Sequence, residues 1–488
     1  VDAEVRLMKV SSAPLIRLWT QLSPRLLPFA DAASSEMPLA RLLRLALFQV
    51  SVGVAAALLV GTLNRVMIVE MGMAAGLVAL MVALPMLVAP LRALVGYRSD
   101  THRSALGWRR VPYLWFGSLL QFGGLAILPF ALLLMAPAGV HGQAAIQIPG
   151  VPQAAAMLGF LLVGLGMQTT QTAGLALATD LSPVDKRPRV VALMYLMLLV
   201  GMLLGSVGFS GVLIEFTPTR LVGVVQGAAV LTVLLNGVAL WKQEARGAPA
   251  APDAPRFRDA WARFLAQPQA RRYLVALGLG TAGFAMQDIV LEPYGAEILG
   301  LSVAATSLLT AGLALGSLLA FAGAARLLQQ GRDAYRLAAL GGLIGIVALA
   351  AVVFAAPLQS PGLFRLGSFG IGLGGGLFGV CMLVIAMGLK VDGHAGLALG
   401  AWGAVQAGCA GAAVAAGGLL RDGFAWLAAQ GWLGPAMADP AVPYSTIYHL
   451  EIALLFATLI AIGPLVRSRT AARTSPAAQR FGLAEFPG

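Results

Sequence analysis

The sequence predicts an all-α polytopic membrane protein with twelve transmembrane helices in two six-helix halves. Three observations predict it. Of 488 residues, 59% are apolar and 11% are charged, against about 25% charged in an ordinary soluble domain. Glycine is abundant, at 59 residues, and glycine is more frequent in membrane helices than in soluble ones. Twelve apolar runs follow one another along the chain, each near the roughly 20 residues that a bilayer core requires.

The runs lie near 42–63, 75–96, 113–136, 154–179, 190–213 and 221–241, then 273–291, 302–325, 337–356, 366–389, 396–419 and 446–466. The longest charged segment, KQEARGAPAAPDAPRFRDAWARFLAQPQARR, separates the sixth from the seventh. The expected organisation is an N-terminal arm over 1–41, a six-helix half over 42–241, a central loop over 242–272, a second half over 273–466 and a tail over 467–488. Residues 1–40 mix charges, prolines and short apolar pieces, so no cleavable signal peptide is expected. The piece SSAPLIRLWTQLSPRLLPFADAAS reads as an amphipathic arm on the membrane surface, with simple disorder as the alternative.

The net charge is +12. With the N-terminus in the cytoplasm, 28 of the 33 lysines and arginines fall on the cytoplasmic side. Arg65, Arg220, Arg365 and Arg421 fall on the other side, and Arg92 lies within the second span. The positive-inside rule therefore puts both termini in the cytoplasm. Contact with anionic lipid headgroups accounts for the basic balance, so no nucleic-acid partner is expected. Cys381 and Cys409 lie inside apolar runs and suggest no disulfide framework. The sequence carries no P-loop, no Gly-x-Ser-x-Gly and no metal-ligand spacing of Cys and His. Neither an enzyme nor a metal cofactor is expected.

The two halves repeat in position. NRVMIVEMGMAAG follows the first span, and QDIVLEPYGAEILGLSVAAT follows the seventh. Each places a carboxylate outside the membrane before a small-residue helix start. After the second span, VGYRSDTHRSALGWRRVPY holds Arg98, Arg103, Arg109, Arg110, Asp100 and His102; its counterpart after the eighth is RLLQQGRDAYR. Gly96 and Asp100 have the Gly-x-x-x-Asp spacing of the major facilitators, whose halves are parallel repeats around a central cavity. Carboxylates and guanidiniums at such helix ends form a conformational latch that pairs differently in inward- and outward-open states. Gly96, Asp100, Arg103, Arg109 and Arg110 are its candidates here, with Arg92 one turn earlier and Asp180 ending the fourth span. THRSAL intervenes between Asp100 and Gly107, which departs from the usual pattern.

Polar residues within the spans are the candidates for a cavity. Gln168, Gln171 and Thr172 share one face of the fourth helix, either lining a cavity or bonding to neighbouring helices. Glu70, Glu292 and Glu297 are expected at the non-cytoplasmic ends of helices, with Asp288 slightly deeper. They either cap helices and pair with Arg65 or serve function. Asn64 joins this group. None of the four histidines is expected at mid-membrane. His449 with Glu451, near the outer end of the last span, reads either as a ligand site or as a fixed helix-end pair. The glycines of LGSFGIGLGGGLFGVCML and the Gly201/Gly205 pair predict close helix packing; a flat apolar ring would also fit against such a face.

The stretch ALVGYRSDTHRSALGWRRVPY resembles the PucC/LhaA family, the bacteriochlorophyll-delivery branch of the major facilitators. So do RLLRLALFQVSVG, GTLNRVMIVE, QDIVLEPYGAEILGLSV and LLPFADAASSEMPLARLLR. The resemblance runs from about residue 24 to 465. It implies a light-harvesting assembly factor in the inner, intracytoplasmic membrane of a photosynthetic bacterium. It implies bacteriochlorophyll as transient cargo and antenna polypeptides as partners, with bacteriochlorophyll synthase and the membrane insertion machinery as further ones. A conventional antenna-like pigment site would call for a mid-membrane histidine, so weaker oxygen ligands are expected. Two alternatives stand: a proton-coupled transporter of a small solute, and a scaffold that carries nothing. The first is disfavoured by acids expected mostly near helix ends.

Overall fold

A computed structural model describes residues 38–89, 108, 110–135, 150–183, 186–244, 268–388, 395–437 and 439–473. Within these, eleven helices are long and apolar enough to cross a membrane, and a shorter apolar helix completes the set of twelve. In chain order they are α1 (Leu39–Glu70), α2 (Ala75–Leu87), α3 (Val111–Met135), α4 (Val151–Asp180), α5 (Arg187–Val212) and α6 (Pro218–Leu240). The second half supplies α7 (Gln269–Glu297), α8 (Val303–Gln329), α9 (Ala334–Ala355), α10 (Pro361–Gly388), α11 (Ala395–Ala429) and α12 (Val442–Arg473). The chain is a multi-pass membrane protein.

Several helices overrun the apolar runs that announce them. α1 continues past residue 63 to Glu70, and α7 past 291 to Glu297. Hydropathy registers where charge begins, whereas the helices run on past Arg65, Asp288 and Glu292. α1 adopts π-helical geometry over Ala57–Leu63 and Val66–Glu70. α7 is interrupted at Met286, where Pro268–Ala285 gives way to Gln287–Glu297.

The packing repeats with an offset of six helices. α1 packs on α4, α5 and α6; α7 packs on α10, α11 and α12. α3 packs on α4 and α6, as α9 does on α10 and α12; α2 meets α4, as α8 meets α10. Between the halves, α2 packs on α11 and α5 on α8, and these two contacts are images of each other under the same offset. The expected parallel repeat is therefore realised in the contacts themselves.

Glycine sets the closest approaches. A Cβ on Gly201 would collide with the Val50 carbonyl oxygen, and one on Gly53 with that of Leu198, so α1 and α5 touch backbone to backbone. In α10, Gly372 meets the Leu313 carbonyl and Gly374 that of Gly341. In a bilayer, small residues at helix contacts let dispersion and packing hold helices together where no hydrophobic drive exists.

Candidate functional site

The site grows from the two irregular helices, α1 and α7, where the halves meet. Pro293 lies inside α7 and has no N–H, so the Ile289 carbonyl loses its helical donor. Asn64 of α1 replaces it: its Nδ2 donates to the carbonyls of Ile289 at 3.1 Å and Asp288 at 2.9 Å. One turn earlier on α1, Gly61 brings bare backbone against the Glu292 side chain. Glu292 in turn accepts from Thr310 of α8 at 2.6 Å. Thr62 bonds Ser307 of α8 at 3.1 Å. The Gly76 N–H at the start of α2 donates to Asp422 of α11 at 2.6 Å. Apart from the Glu292–Thr310 bond, which lies within the second half, these bonds cross between the halves on the Glu70 side of the bundle, and they make a polar seam there.

Beside the seam, Arg421 of α11 binds Glu297 at 2.9 Å, Asp422 at 3.0 Å and the Tyr444 hydroxyl at 2.8 Å. Its guanidinium stacks 4.8 Å from the Tyr444 ring centre. Tyr444 donates onward to Glu297. Tyr294 packs its ring on Tyr444, Tyr448 and Phe364 beneath them.

At the interruption of α7, the freed Gln287 N–H is taken by Glu451 of α12 at 2.7 Å. The Gln287 side chain donates to Asp288. Asp288 turns its other side to a cleft of about 190 Å³ between α7, α10 and α11. Leu277, Phe284 and Phe378 give this cleft apolar walls; Gly375 and Gly379 lie along α10, and Gln406 on α11. A Cβ on Gly379 would meet nothing within 4 Å.

The sequence-derived candidates separate on the structure. Asn64, Asp288 and Glu292 come together at the seam, and Asp288 alone of the three also lines the cleft. The structure buries Glu292 and Glu451 within the bundle. They are 3% and 0% exposed and lie inside the bundle, because helix turns with Thr310 and Gln287 shield them. A place near a helix end therefore does not make these acids solvent-facing. Glu70 takes the structural option, paired with Arg65. His449 and Glu451 form no pair. Two residues apart on a helix, they face different sides; His449 is exposed, with Nδ1 2.7 Å from the Ser445 carbonyl, while Glu451 is buried. Gln171 bonds Gln49 of α1 at 3.3 Å, and Thr172 bonds back to the Gln168 carbonyl. All three remain half-buried.

Of the latch candidates, the structure joins Arg110 to Asp180, 3.1 Å apart. Arg92, Gly96, Asp100, Arg103 and Arg109 lie outside the described residues. Sequence reasoning missed Glu244, whose carboxylate accepts the backbone N–H groups of Arg110 and Val111 at the start of α3. A carboxylate just past a span, facing an uncapped helix N-terminus, is the signal that was present. It also missed Gln406 and Thr281 of the cleft, which nothing in their local sequence marks.

A family model described as "PUCC protein" matches residues 62–470. The "Uncharacterized protein in puhA-bchM intergenic region" of Rhodobacter capsulatus is 51% identical over 96% of this chain and 99% of its own length. "Protein PucC" of Rhodovulum sulfidophilum is 51% identical over 82% of this chain and 89% of its own. Among solved structures, the nucleoside transporter NupG superposes with a TM-score of 0.62, covering 86% of this chain and 98% of that one at 14% identity. That likeness shows the fold alone, a major facilitator fold. With the family model spanning most of its length and curated relatives half identical to it, the chain belongs to the PUCC protein family.

Proposed function

We propose that this protein is a light-harvesting assembly factor that takes bacteriochlorophyll from the membrane and passes it to antenna polypeptides. The observation that carries this reading is the cleft beside Asp288. Gly379 leaves part of its α10 wall without a side chain, the Phe284 ring lies against Gly375, and Phe378 of α10 borders it. A flat apolar macrocycle packs well against such a surface, whereas a small hydrophilic solute gains little from it. At about 190 Å³ the cleft is smaller than the roughly 300–1,000 Å³ pockets that enclose drug-sized ligands. It would therefore grip an edge of the pigment and leave the rest in lipid. Among the described residues, no histidine lines it. Oxygen atoms of Asp288, Gln406 and Thr281 would hold the cargo more weakly than imidazole, which suits a carrier that must release it.

In this reading the protein performs no covalent chemistry. It sits in the inner, intracytoplasmic membrane with both termini in the cytoplasm, on the strength of the basic-residue distribution. Antenna polypeptides are the receivers; bacteriochlorophyll synthase and the insertion machinery are the neighbours from which pigment and polypeptide would come. Purification in mild detergent tests this. Co-purifying bacteriochlorophyll, together with antenna polypeptides or the synthase, is the expected result. Pigment-free protein without those partners, and normal antenna in a deletion strain, would refute it.

A further inference from the structure

Four side-chain oxygens around the interruption of α7 have no hydrogen-bond partner among the described residues: Asn64 Oδ1, Gln287 Oε1, Glu292 Oε2 and Glu451 Oε2. Their residues are 0%, 2%, 3% and 0% exposed. All four atoms are acceptors once the carboxyl groups are ionised. An unsatisfied buried polar atom is costly, and a buried unpaired charge more so. Each carboxyl already uses its other oxygen, Glu292 with Thr310 and Glu451 with the Gln287 N–H. No donor lies within hydrogen-bond distance of these oxygens, the nearby Arg65 Nε and Tyr448 Oη being themselves without partners among the described residues.

We propose that Glu292 and Glu451 are proton-binding groups and that their proton occupancy controls the α1–α7 seam. Two protons convert two acceptor oxygens into donors. One appears on Glu451, whose carboxyl already contacts Gln287. The other appears on Glu292, which lies against α1 at Gly61, one turn from Asn64. The charged and titratable neighbours are few. α1 presents Arg65, whose Nη1 is paired with Glu70, whose Nε has no partner among the described residues, and whose charge also acts on Glu292. α11 presents Arg421 and Asp422, which bind each other. α12 presents Tyr444 and Tyr448, and α7 itself Asp288, Tyr294 and Glu297. α2 has no titratable side chain, and the part of α8 that meets Glu292 offers the hydroxyls of Thr306 and Thr310. Among the described residues, neither lysine nor histidine faces the two acids. With both acids ionised, the desolvation of Glu292 acts against the packing of α1 on α7 and Glu451 adds a charge beside Asp288; with both protonated, the seam closes. This site stands apart from the pigment reading, since the orphaned oxygens are the same whatever the cargo.

Infrared spectroscopy of the purified full-length protein tests the site. Wild type at neutral pH should show a buried protonated-carboxyl C=O stretch that shifts on 13C labelling of glutamate. That band should weaken in Glu292→Gln and in Glu451→Gln, disappear in the double variant, and titrate away at alkaline pH. The 13C measurement needs no variant, so a misfolded substitution does not void the test. Absence of the band in folded wild type would overturn the proposal. A band unchanged in both folded single variants would do the same. A band that responds to replacing sodium with choline at fixed pH would overturn it in favour of a sodium site.

Discussion

Asn64 on α1 donates its side-chain amide to the backbone carbonyl of Ile289 on α7, the carbonyl that Pro293 leaves without a helical donor. A proline in one half thus creates the acceptor that ties it to the other half. Asn64→Leu keeps the volume and removes the donor. Leaving those buried carbonyls unsatisfied costs about 1–3 kcal/mol. In a background lacking Cys381 and Cys409, a Ser307→Cys reporter on the seam should then react faster with maleimide. An unchanged labelling rate would show that Asn64 does not hold the halves together.

The α1–α5 contact gives a sharper steric test. Gly201 meets the Val50 backbone, whereas a Cβ on Gly208, two turns along the same helix, would meet nothing within 4 Å. Gly201→Leu should abolish stable expression or lower the melting temperature strongly, since overpacking costs about 1–3 kcal/mol or more. Gly208→Leu should be near neutral in the same thermal melt. Equal effects would contradict the backbone-to-backbone packing.

Asp422 serves two partners, Arg421 on its own helix and the Gly76 N–H at the start of α2. Helix-terminal N–H groups that lose their cap cost about 0.5–2 kcal/mol. Asp422→Ala should therefore destabilise the protein by that order, while Asp422→Asn, which retains an acceptor oxygen, should lose less. Detergent-phase thermal unfolding distinguishes them.

At the basic end, Glu244 caps α3 and Asp180 pairs with Arg110. Glu244→Ala should expose the start of α3, seen as faster hydrogen exchange at residues 111–114. Exchange at the start of α6, capped separately by Thr217, should not change.

The architecture was legible because each span is a long apolar run and because the central charged segment divides the chain in two. The repeat was legible in the placement of Glu70 and Glu297, and the structure extends it to the packing of every helix pair described above. The candidate site was legible only in part. Asp288 and Glu292 announce themselves as acids in apolar surroundings. Their burial does not, because a sequence gives hydropathy but not the neighbours, such as Thr310 and Gly61, that let a carboxyl stay inside. His449 and Glu451 look adjacent in sequence and separate on the helix. Gln406 and Gly379 enter the cleft through tertiary packing alone.

The proposed pigment cleft is most accessible to experiment at Gly379. Bacteriochlorophyll should be titrated into purified protein in detergent, with its long-wavelength absorption band compared to empty micelles. A saturable band shift is expected in wild type and its loss in Gly379→Trp, a variant whose Cβ enters open space and whose ring would occupy the cleft. An identical saturable shift in both proteins, or no shift in either, would contradict it.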